Sequence, residues 1–325
     1  MTTMRAVAAG GPDHKLVDVE LPMPSLRAHD LLVRVAAVSV NPADVKIAAR
    51  AAGKPRILGF DAVGTVVEVG SAATGFAAGD EVYYAGDITR QGANAEFQAI
   101  DARLVGHKPA QLSVAEAAAM PLTTITAWES LFTHLAATPD TTGSLVVVGA
   151  AGGVGSVLIQ LAKLRTALHV IGTSSRQESS DWVTTMGADV VVDHRSLAKS
   201  VKAVAPEGVD ALFSSYSTGN IQDFAEIVKP FGHIVAIDDG KLDLGPLKSK
   251  SIAWHWELMF THAMYSTPDM ASQGQLLNEA ADLFDAGSLR TTLTTELDDF
   301  SAAGIQHAHD LVASGRTIGK VVVRR

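Results

Sequence analysis

The chain of 325 residues contains no cysteine. Disulfides, cysteine-ligated zinc sites and thiol nucleophiles are therefore excluded. No uninterrupted apolar run reaches the roughly 18 residues of a membrane span, and the first residues show no signal-peptide core. Basic residues are in the minority, because 26 Lys and Arg stand against 35 Asp and Glu, a formal net charge of −9. This balance argues against a nucleic-acid partner, and we expect a soluble cytoplasmic enzyme with a small-molecule substrate.

What the chain does contain predicts two domains. An apolar share of 47% supports a large core. The first 110 residues are β-rich, with short runs at 30–40, 62–69, 79–84 and 94–100 that turn residues divide, a pattern typical of a barrel-like domain. From residue 144 to 240 strands and helices alternate, which predicts parallel strands with right-handed crossovers. We expect the strand after Gly319 to rejoin the N-terminal part, giving domains at 1–121 with 265–325 and at 122–264.

The stretch 144–175 predicts a dinucleotide-binding unit. A continuous apolar run at 145–148 indicates a strand that is buried on both faces. It leads into Ala150-x-Gly152-x-x-Gly155, the dinucleotide fingerprint with its first glycine replaced. Glycines there let the backbone approach a pyrophosphate and let the helix pack on the strand. We therefore predict cofactor contacts at this turn, from Ala151, Gly152, Gly153, Val154 and Gly155; the alternative is a tight turn without a ligand.

The end of the second strand indicates which cofactor is bound. Sites that prefer NAD place Asp or Glu about 20 residues after the glycines, on the ribose 2′-hydroxyl. Here the chain has no acid, and reads Ser174, Ser175 and Arg176. Two hydroxyls and a guanidinium suit a 2′-phosphate, because Arg offers forked donors to phosphate oxygens. We predict NADPH, and the alternative is a solvated polar loop.

Motifs over nearly the full length resemble those of the medium-chain dehydrogenase/reductase superfamily, in its zinc-free quinone oxidoreductase-like branch. They lie at 39–44, 58–64, 79–82, 150–155 and 319–320. A closer resemblance is to the group called zinc-type alcohol dehydrogenase-like proteins, through residues 84–88, 105–109, 255–261 and 268–270. The resemblance implies an α/β fold, with a Rossmann-type doubly wound parallel sheet and a discontinuous, β-rich GroES-like barrel domain.

The same resemblance argues against a catalytic zinc. Aligned by motif, the places of the usual zinc ligands fall on Asn41, Phe60 and approximately Leu122, none of which is a usual zinc ligand. A catalytic zinc needs three protein ligands, so we predict no metal. Without a Lewis acid, alcohol oxidation is difficult. A quinone or an α,β-unsaturated carbonyl accepts hydride more easily, because the product anion is delocalised. We therefore predict hydride transfer from NADPH to such a substrate.

Four residues are candidates for the substrate site. By resemblance, Asn41 lies beside the nicotinamide and donates a hydrogen bond to the substrate, although Asn before Pro is also a common turn residue. Tyr84 is a candidate proton donor, and solvent is the alternative. Phe60 and Trp128 are candidate apolar walls of the pocket, or core residues.

Further cofactor contacts also follow from the resemblance. Thr126 matches a residue that contacts the nicotinamide, and Ile237 is expected to meet the carboxamide through its backbone. His194 stands where quinone reductases often carry a tyrosine near the 2′-phosphate; the alternative is an exposed loop histidine. A strand at 248–257 is expected to form the edge of the sheet and a homodimer contact, with His255 and Glu257 on one face.

Two functions compete with a metal-independent NADPH-dependent reductase. One is a catalytically silent NADPH-binding sensor, which would bind the cofactor and turn over no quinone. The other is a zinc-dependent alcohol dehydrogenase, which would need ligands from outside the usual places.

Overall fold

The computed structural model describes residues 2–10, 15–51 and 55–325. The strands are β1 Thr3–Ala9, β2 Val17–Pro22, β3 Asp30–Val40, β4 Arg56–Ile57, β5 Ala62–Val69, β6 Glu81–Tyr84, β7 Phe97–Asp101, β8 Gly106–His107, β9 Ser144–Val148, β10 His169–Ser174, β11 Val190–Asp193, β12 Val209–Ser214, β13 Val228–Ala236, β14 Ala253–Trp256, β15 Leu293–Leu297 and β16 Lys320–Arg324. The helices are α1 Pro42–Ala48, α2 Val114–Ala118, α3 Pro121–Trp128, α4 Gly153–Arg165, α5 Gln177–Thr185, α6 Leu197–Val204, α7 Ile221–Ile227, α8 Thr261–Tyr265, α9 Ser272–Asp285 and α10 Ala302–Ala313. Among these described residues, no helix is long and apolar enough to cross a bilayer.

The chain folds into two compact units, the first formed by residues 1–125 and 260–325 and the second by residues 126–259. The first unit contains a sheet in the order β15-β16-β3-β5-β6-β8, with β7 also paired to β3, and a small sheet in the order β2-β1-β4. Strand β16 runs antiparallel to β3, with Val322 opposite Ser39. The expectation that the last strand rejoins the N-terminal part of the chain is thus confirmed.

The second unit contains a six-stranded sheet in the order β11-β10-β9-β12-β13-β14. Each neighbouring pair is parallel, as the alternation of strands and helices predicted. Strand β9 is central, and Leu145 to Val148 are all buried, because helices cover both faces of a parallel sheet. The strand order reverses direction between β9 and β12, which is the point where open sheets bind ligands.

The predicted strand at 248–257 is wrong in its extent. Residues Gly245–Lys250 form a 3₁₀ helix, and Ser251 then takes a left-handed conformation with φ of 51°. Pro246 favours this turn because it has no N–H to donate to a ladder. Only Ala253–Trp256 pairs, as β14 at the edge of the sheet. The dimer contact expected at this edge stays a prediction.

Candidate functional site

The turn after β9 has the geometry of a phosphate-binding loop. Gly149 has φ of +84°, and Gly152 caps the N-terminus of α4. A Cβ on Gly155 would lie 2.5 Å from the carbonyl oxygen of Gly149 and 2.7 Å from Cα of Ala150, so no side chain fits there. A Cβ on Gly152 would meet only the oxygen of Gly149, at 3.4 Å. The side of Gly152 is therefore open at the start of α4, where helix N–H groups lack intrahelical partners and the dipole favours anions.

The turn after β10 holds the three residues that were predicted to select NADPH. The Ser174 hydroxyl lies 2.6 Å from that of Ser179 and donates to the carbonyl of Arg176 at 3.2 Å. Ser174 is buried and its hydroxyl bonds within the turn; its predicted contact with a phosphate is not supported. Ser175 and Arg176 remain partly exposed at the start of α5.

The turn after β11 lies beside the turn after β10, because Asp193 is the register partner of Ser174. His194 is exposed in this turn, and Arg195 forms an ion pair with Asp193. Ser175, Arg176 and His194 therefore follow neighbouring strand ends, and their contact with a 2′-phosphate stays a prediction. The side chains of Ser175, Arg176 and His194 are of types that can donate hydrogen bonds to a phosphate.

The loop after β12 was missed by sequence reasoning. The Ser217 amide donates to Oδ2 of Asp238 at 2.7 Å, and its hydroxyl donates to Oδ1 of the same carboxylate at 2.6 Å. Ile237 follows β13, and its amide donates to the carbonyl of Ser214 at 3.1 Å. The Ile237 amide is thus engaged in the sheet. The acidic residue after Ile237 was the available signal, because a carboxylate that follows one strand can hold the turn after its neighbour.

Thr126 and Trp128 lie on α3. Thr126 is buried, and its carbonyl accepts a hydrogen bond from the Ser130 hydroxyl at 2.7 Å. Trp128 is partly exposed and packs edge-on against Phe132, with the guanidinium of Arg165 5.7 Å from the centre of its ring. Both contacts of Trp128 lie within the second unit, and its place in a substrate pocket stays a prediction.

Asn41 lies in a buried polar cluster of the first unit. Its Nδ2 donates to Oδ2 of Asp61 at 2.8 Å and to the carbonyl of Phe60 at 3.3 Å. Its Oδ1 accepts from Nζ of Lys320 at 2.5 Å. The amide therefore has no hydrogen left for a substrate, and the predicted donor role is not supported. The interpretation of Asn41 as a structural turn residue accounts for what is seen.

Lys320 is the cation of this cluster. Its Nζ also donates to Oδ2 of Asp61 at 3.0 Å and to the carbonyl of Val40 at 3.2 Å, so all three ammonium hydrogens have acceptors. Burial raises the pKa of Asp61, and the ammonium of Lys320 opposes that rise. Burial also raises the pKa of Asp44 to about 6, against hydrogen bonds from the amides of Asn41 and Gly59.

The residues at the expected zinc positions do not fit the metal. Asn41 is bonded to Lys320, Phe60 is a fully buried ring that packs against Phe260, and Leu122 contributes only its amide, which donates to Asp61 at 2.7 Å. Across residues 2–10, 15–51 and 55–325, no group of three His, Asp or Glu is arranged to hold a metal ion. The ammonium of Lys320 already supplies a positive charge beside the carboxylate of Asp61. Because Phe60 has no exposed surface, its predicted role as a pocket wall is likewise not supported.

Tyr84 is buried in β6, and its hydroxyl has no hydrogen-bond partner among the residues that the structure describes. Burial raises the pKa of this phenol above its usual value. A phenol that holds its proton this firmly is a poor general acid. The structure therefore argues against Tyr84 as the proton donor.

A second titratable cluster lies in the second unit. Nε2 of His134 lies 2.7 Å from Oε2 of Glu257, and Glu257 shares a hydrogen bond with Glu129. Nε2 of His255 lies 3.1 Å from Nδ1 of His233, and its ring centre lies 5.7 Å from that of His134. Burial raises the pKa of Glu257 to about 8 and lowers that of His134. His134 therefore lies beside both His255 and Glu257, the pair predicted to share one strand face.

We expect the Glu257→Gln variant to lose less stability than the wild type as the pH rises. The folded protein holds the Glu257 proton up to about pH 8, whereas an unperturbed carboxyl releases it near 4.5. Stability therefore falls as the pH rises through this window. The amide cannot ionise, so we expect the variant to become the more stable protein by roughly 1–3 kcal/mol near pH 8. Urea unfolding at several pH values measures this.

Glu226→Gln is the matched control, because Glu226 is exposed and paired with Lys202. It should keep the pH dependence of the wild type. His134 has the opposite effect. Because its pKa is lowered in the folded protein, the protein loses stability as the pH falls. Identical pH profiles for Glu257→Gln and the wild type would contradict the assignment.

Comparisons with known proteins agree with this architecture. A model of the alcohol dehydrogenase GroES-like domain matches residues 27–127, and one of zinc-binding dehydrogenases matches residues 186–323. A zinc-type alcohol dehydrogenase-like protein of Staphylococcus aureus is 38% identical over 310 residues, which cover 92% of each chain. The 2-methylene-furan-3-one reductase of Solanum lycopersicum is 30% identical over 335 residues, covering 97% of this chain and 76% of that one.

A solved structure, a proposed zinc-dependent alcohol dehydrogenase of Rhizobium etli CFN 42, superposes with a TM-score of 0.95 at 44% identity, covering 100% of this chain and 99% of the other. The parallel sheet of the second unit is thus of the Rossmann type, and the first unit carries the GroES-like domain. Family models and full-length relatives agree with the motifs found in the sequence. The chain therefore belongs to the medium-chain dehydrogenase/reductase superfamily, in its quinone oxidoreductase-like branch.

Proposed function

We infer that this oxidoreductase transfers a hydride from NADPH to a quinone or an α,β-unsaturated carbonyl without the help of a metal. The observation that carries the proposal is the cluster of Asn41, Asp61 and Lys320. Asn41 stands at the place of a zinc ligand in zinc-dependent relatives, and here it is bonded to Asp61 and to the ammonium of Lys320. Alcohol oxidation is difficult in a site without a Lewis acid to stabilise the alkoxide. A conjugated acceptor needs no such activation. The similarity to 2-methylene-furan-3-one reductase supports this substrate class.

The residues of the second unit fit a phosphorylated dinucleotide. The start of α4 offers unpaired helix N–H groups to the pyrophosphate, with Gly152 leaving room for close approach. Ser175, Arg176 and His194 present donors beside it for a 2′-phosphate. Thr126 and Ile237 are the proposed nicotinamide contacts. When bound, NADPH supplies the hydride and the protein supplies orientation.

The remaining chemical requirements are small. Reduction of a conjugated carbonyl leaves an anion whose charge is delocalised, so the protein needs only to orient the substrate and exclude water. The anion must still gain a proton. The Asn41 amide has no spare hydrogen and the Tyr84 phenol is a poor acid. We therefore propose that solvent delivers this proton.

The test is oxidation of NADPH by the purified protein, followed by nicotinamide absorbance, with quinones, enones, aldehydes and alcohols offered in parallel. We expect turnover with quinones or enones, unchanged by prior treatment with a chelator. Turnover that requires stoichiometric zinc would contradict the proposal and favour an alcohol dehydrogenase. Binding of NADPH without oxidation by any acceptor would favour a sensor.

The Arg176→Ala variant should discriminate less between the two nicotinamide cofactors. We expect its ratio of kcat/KM for NADPH to that for NADH to fall by about 10- to 100-fold, because a charge-assisted contact with the phosphate is lost. Arg103→Ala, which removes a surface guanidinium in the first unit, should leave the ratio unchanged. An unchanged ratio in Arg176→Ala would remove Arg176 from the phosphate site.

A further inference from the structure

The loop after β12 also carries an exposed aromatic side chain. Tyr216 is 58% exposed. A Cβ placed on Gly149 would lie 3.7 Å from Cδ2 of the Tyr216 ring. The ring therefore stands next to the first glycine of the phosphate-binding turn.

The backbone around Tyr216 is fixed on both sides. Its amide donates to the Ser214 hydroxyl at 3.1 Å, and its carbonyl accepts from Nδ2 of Asn220 at 2.8 Å. The next residue, Ser217, is held through both its amide and its hydroxyl by the carboxylate of Asp238. An exposed ring on a backbone this well anchored loses little conformational entropy when it binds a ligand.

The strand order places Tyr216 at one wall of a crevice. Strand β9 lies between β10 and β12, with Val147 opposite Gly172 on one side and Val148 opposite Ser214 on the other. The turns after β10 and β12 therefore stand on either side of the Gly149 turn. The first carries Arg176 and the second carries Tyr216. A ligand that reaches Arg176 with a phosphate and the α4 N-terminus with a pyrophosphate must pass between these turns.

We propose that Tyr216 contacts the adenosine half of the bound dinucleotide and packs its ring against the adenine base. This inference rests on the proposed use of NADPH. Adenine is a flat π-system, and base–aromatic contact is favourable whichever face the base presents. The phenol ring contributes through its face, so the hydroxyl is dispensable. Tyr216 is then a determinant of cofactor affinity and takes no part in the hydride step.

Binding measurements with NADPH and with 2′,5′-ADP, which contains only the adenosine half, test the assignment. For Tyr216→Ala we expect the Kd of both ligands to rise about tenfold, whereas Tyr216→Phe should stay within about twofold of the wild type. The KM for NADPH should rise with little change in kcat at saturation. Tyr265→Ala is the control, because Tyr265 is 75% exposed in α8 of the first unit.

Each outcome supports or overturns the assignment of Tyr216 to the adenosine half. Unchanged Kd values in Tyr216→Ala would overturn the inference and leave the proposed function intact. A weaker Kd for NADPH with an unchanged Kd for 2′,5′-ADP would overturn the adenosine assignment. If the wild type binds neither ligand, the proposed function fails and this inference fails with it. Thermal melting of both Tyr216 variants excludes loss of fold as the cause of weaker binding.

Discussion

The Lys320→Met variant is expected to lose about 3–5 kcal/mol of unfolding free energy, because it leaves a buried carboxylate without its cation. Asp61 has no exposed surface, and the Lys320 ammonium lies 3.0 Å from its Oδ2. The same substitution removes the hydrogen bond to Oδ1 of Asn41. Methionine fills a similar volume, so the loss reports mainly on charge and hydrogen bonding. Urea unfolding at neutral pH measures the effect.

The deficit should grow as the pH rises. Without the ammonium, only the hydrogen bonds from Asn41 and Leu122 oppose the effect of burial, so the pKa of Asp61 rises further above the unfolded value. Stability is then lost as the pH rises through the folded pKa. The double variant Lys320→Met/Asp61→Asn removes the charge and keeps an acceptor for the Leu122 amide, so it should recover a substantial part of the loss.

Lys202→Met is the matched control for a lysine ion pair at the surface. Lys202 is paired with Glu226, and both side chains are exposed. Exposed pairs contribute about 0–1 kcal/mol. If Lys320→Met loses no more unfolding free energy than Lys202→Met, the buried cluster does not stabilise the fold.

Two alanine substitutions in one turn are expected to separate folding from cofactor binding. In Gly155→Ala, the new methyl would lie 2.5 Å from the oxygen of Gly149 and 2.7 Å from Cα of Ala150. Both atoms belong to the backbone, so relief requires the strand and helix to move apart. We expect a loss of about 1–3 kcal/mol in stability, together with loss of NADPH binding.

In Gly152→Ala the methyl meets nothing closer than 3.4 Å, and Gly152 has φ of −77°, which alanine adopts readily. Stability should stay within about 1 kcal/mol of the wild type. The methyl would nevertheless fill the space through which the pyrophosphate approaches the backbone, so the Kd for NADPH should rise at least about tenfold. Thermal melting and NADPH titration of both variants test this contrast. Wild-type affinity in Gly152→Ala would show that the pyrophosphate binds elsewhere.

The parts of the fold that follow from local pattern were predictable from the sequence. The continuous apolar run of β9, the glycine spacing after it and the alternation of strands with helices each depend on residues close together in the chain. The position of His194 after β11, near the proposed 2′-phosphate site, was predicted from the family resemblance and not from local pattern. Strand 248–257 was overextended because the 3₁₀ helix Gly245–Lys250 and the left-handed Ser251 occupy the first part of a stretch that is otherwise rich in strand formers.

The substrate side of the site could not be predicted in the same way. Asn41 and Lys320 are 279 residues apart in the chain and still share a hydrogen bond, so no local pattern reveals that the amide is already engaged. The buried hydroxyl of Tyr84 and the enclosed ring of Phe60 likewise depend on packing by residues that are distant in the chain, such as Phe260 against Phe60. In the sequence the Ser174 hydroxyl looked available for a phosphate, because its partner Ser179 lies in the following helix, α5.

The pairing of β16 with β3 bears on how the protein is made. Asp61 is synthesised 259 residues before its partner Lys320. The second unit is continuous over residues 126–259, so it can fold while synthesis proceeds. The sheet of the first unit cannot be completed until the final strand emerges, and until then the edge of β3 that receives β16 stays open. The nascent chain therefore carries an uncovered strand edge while the residues between β3 and β16 are synthesised.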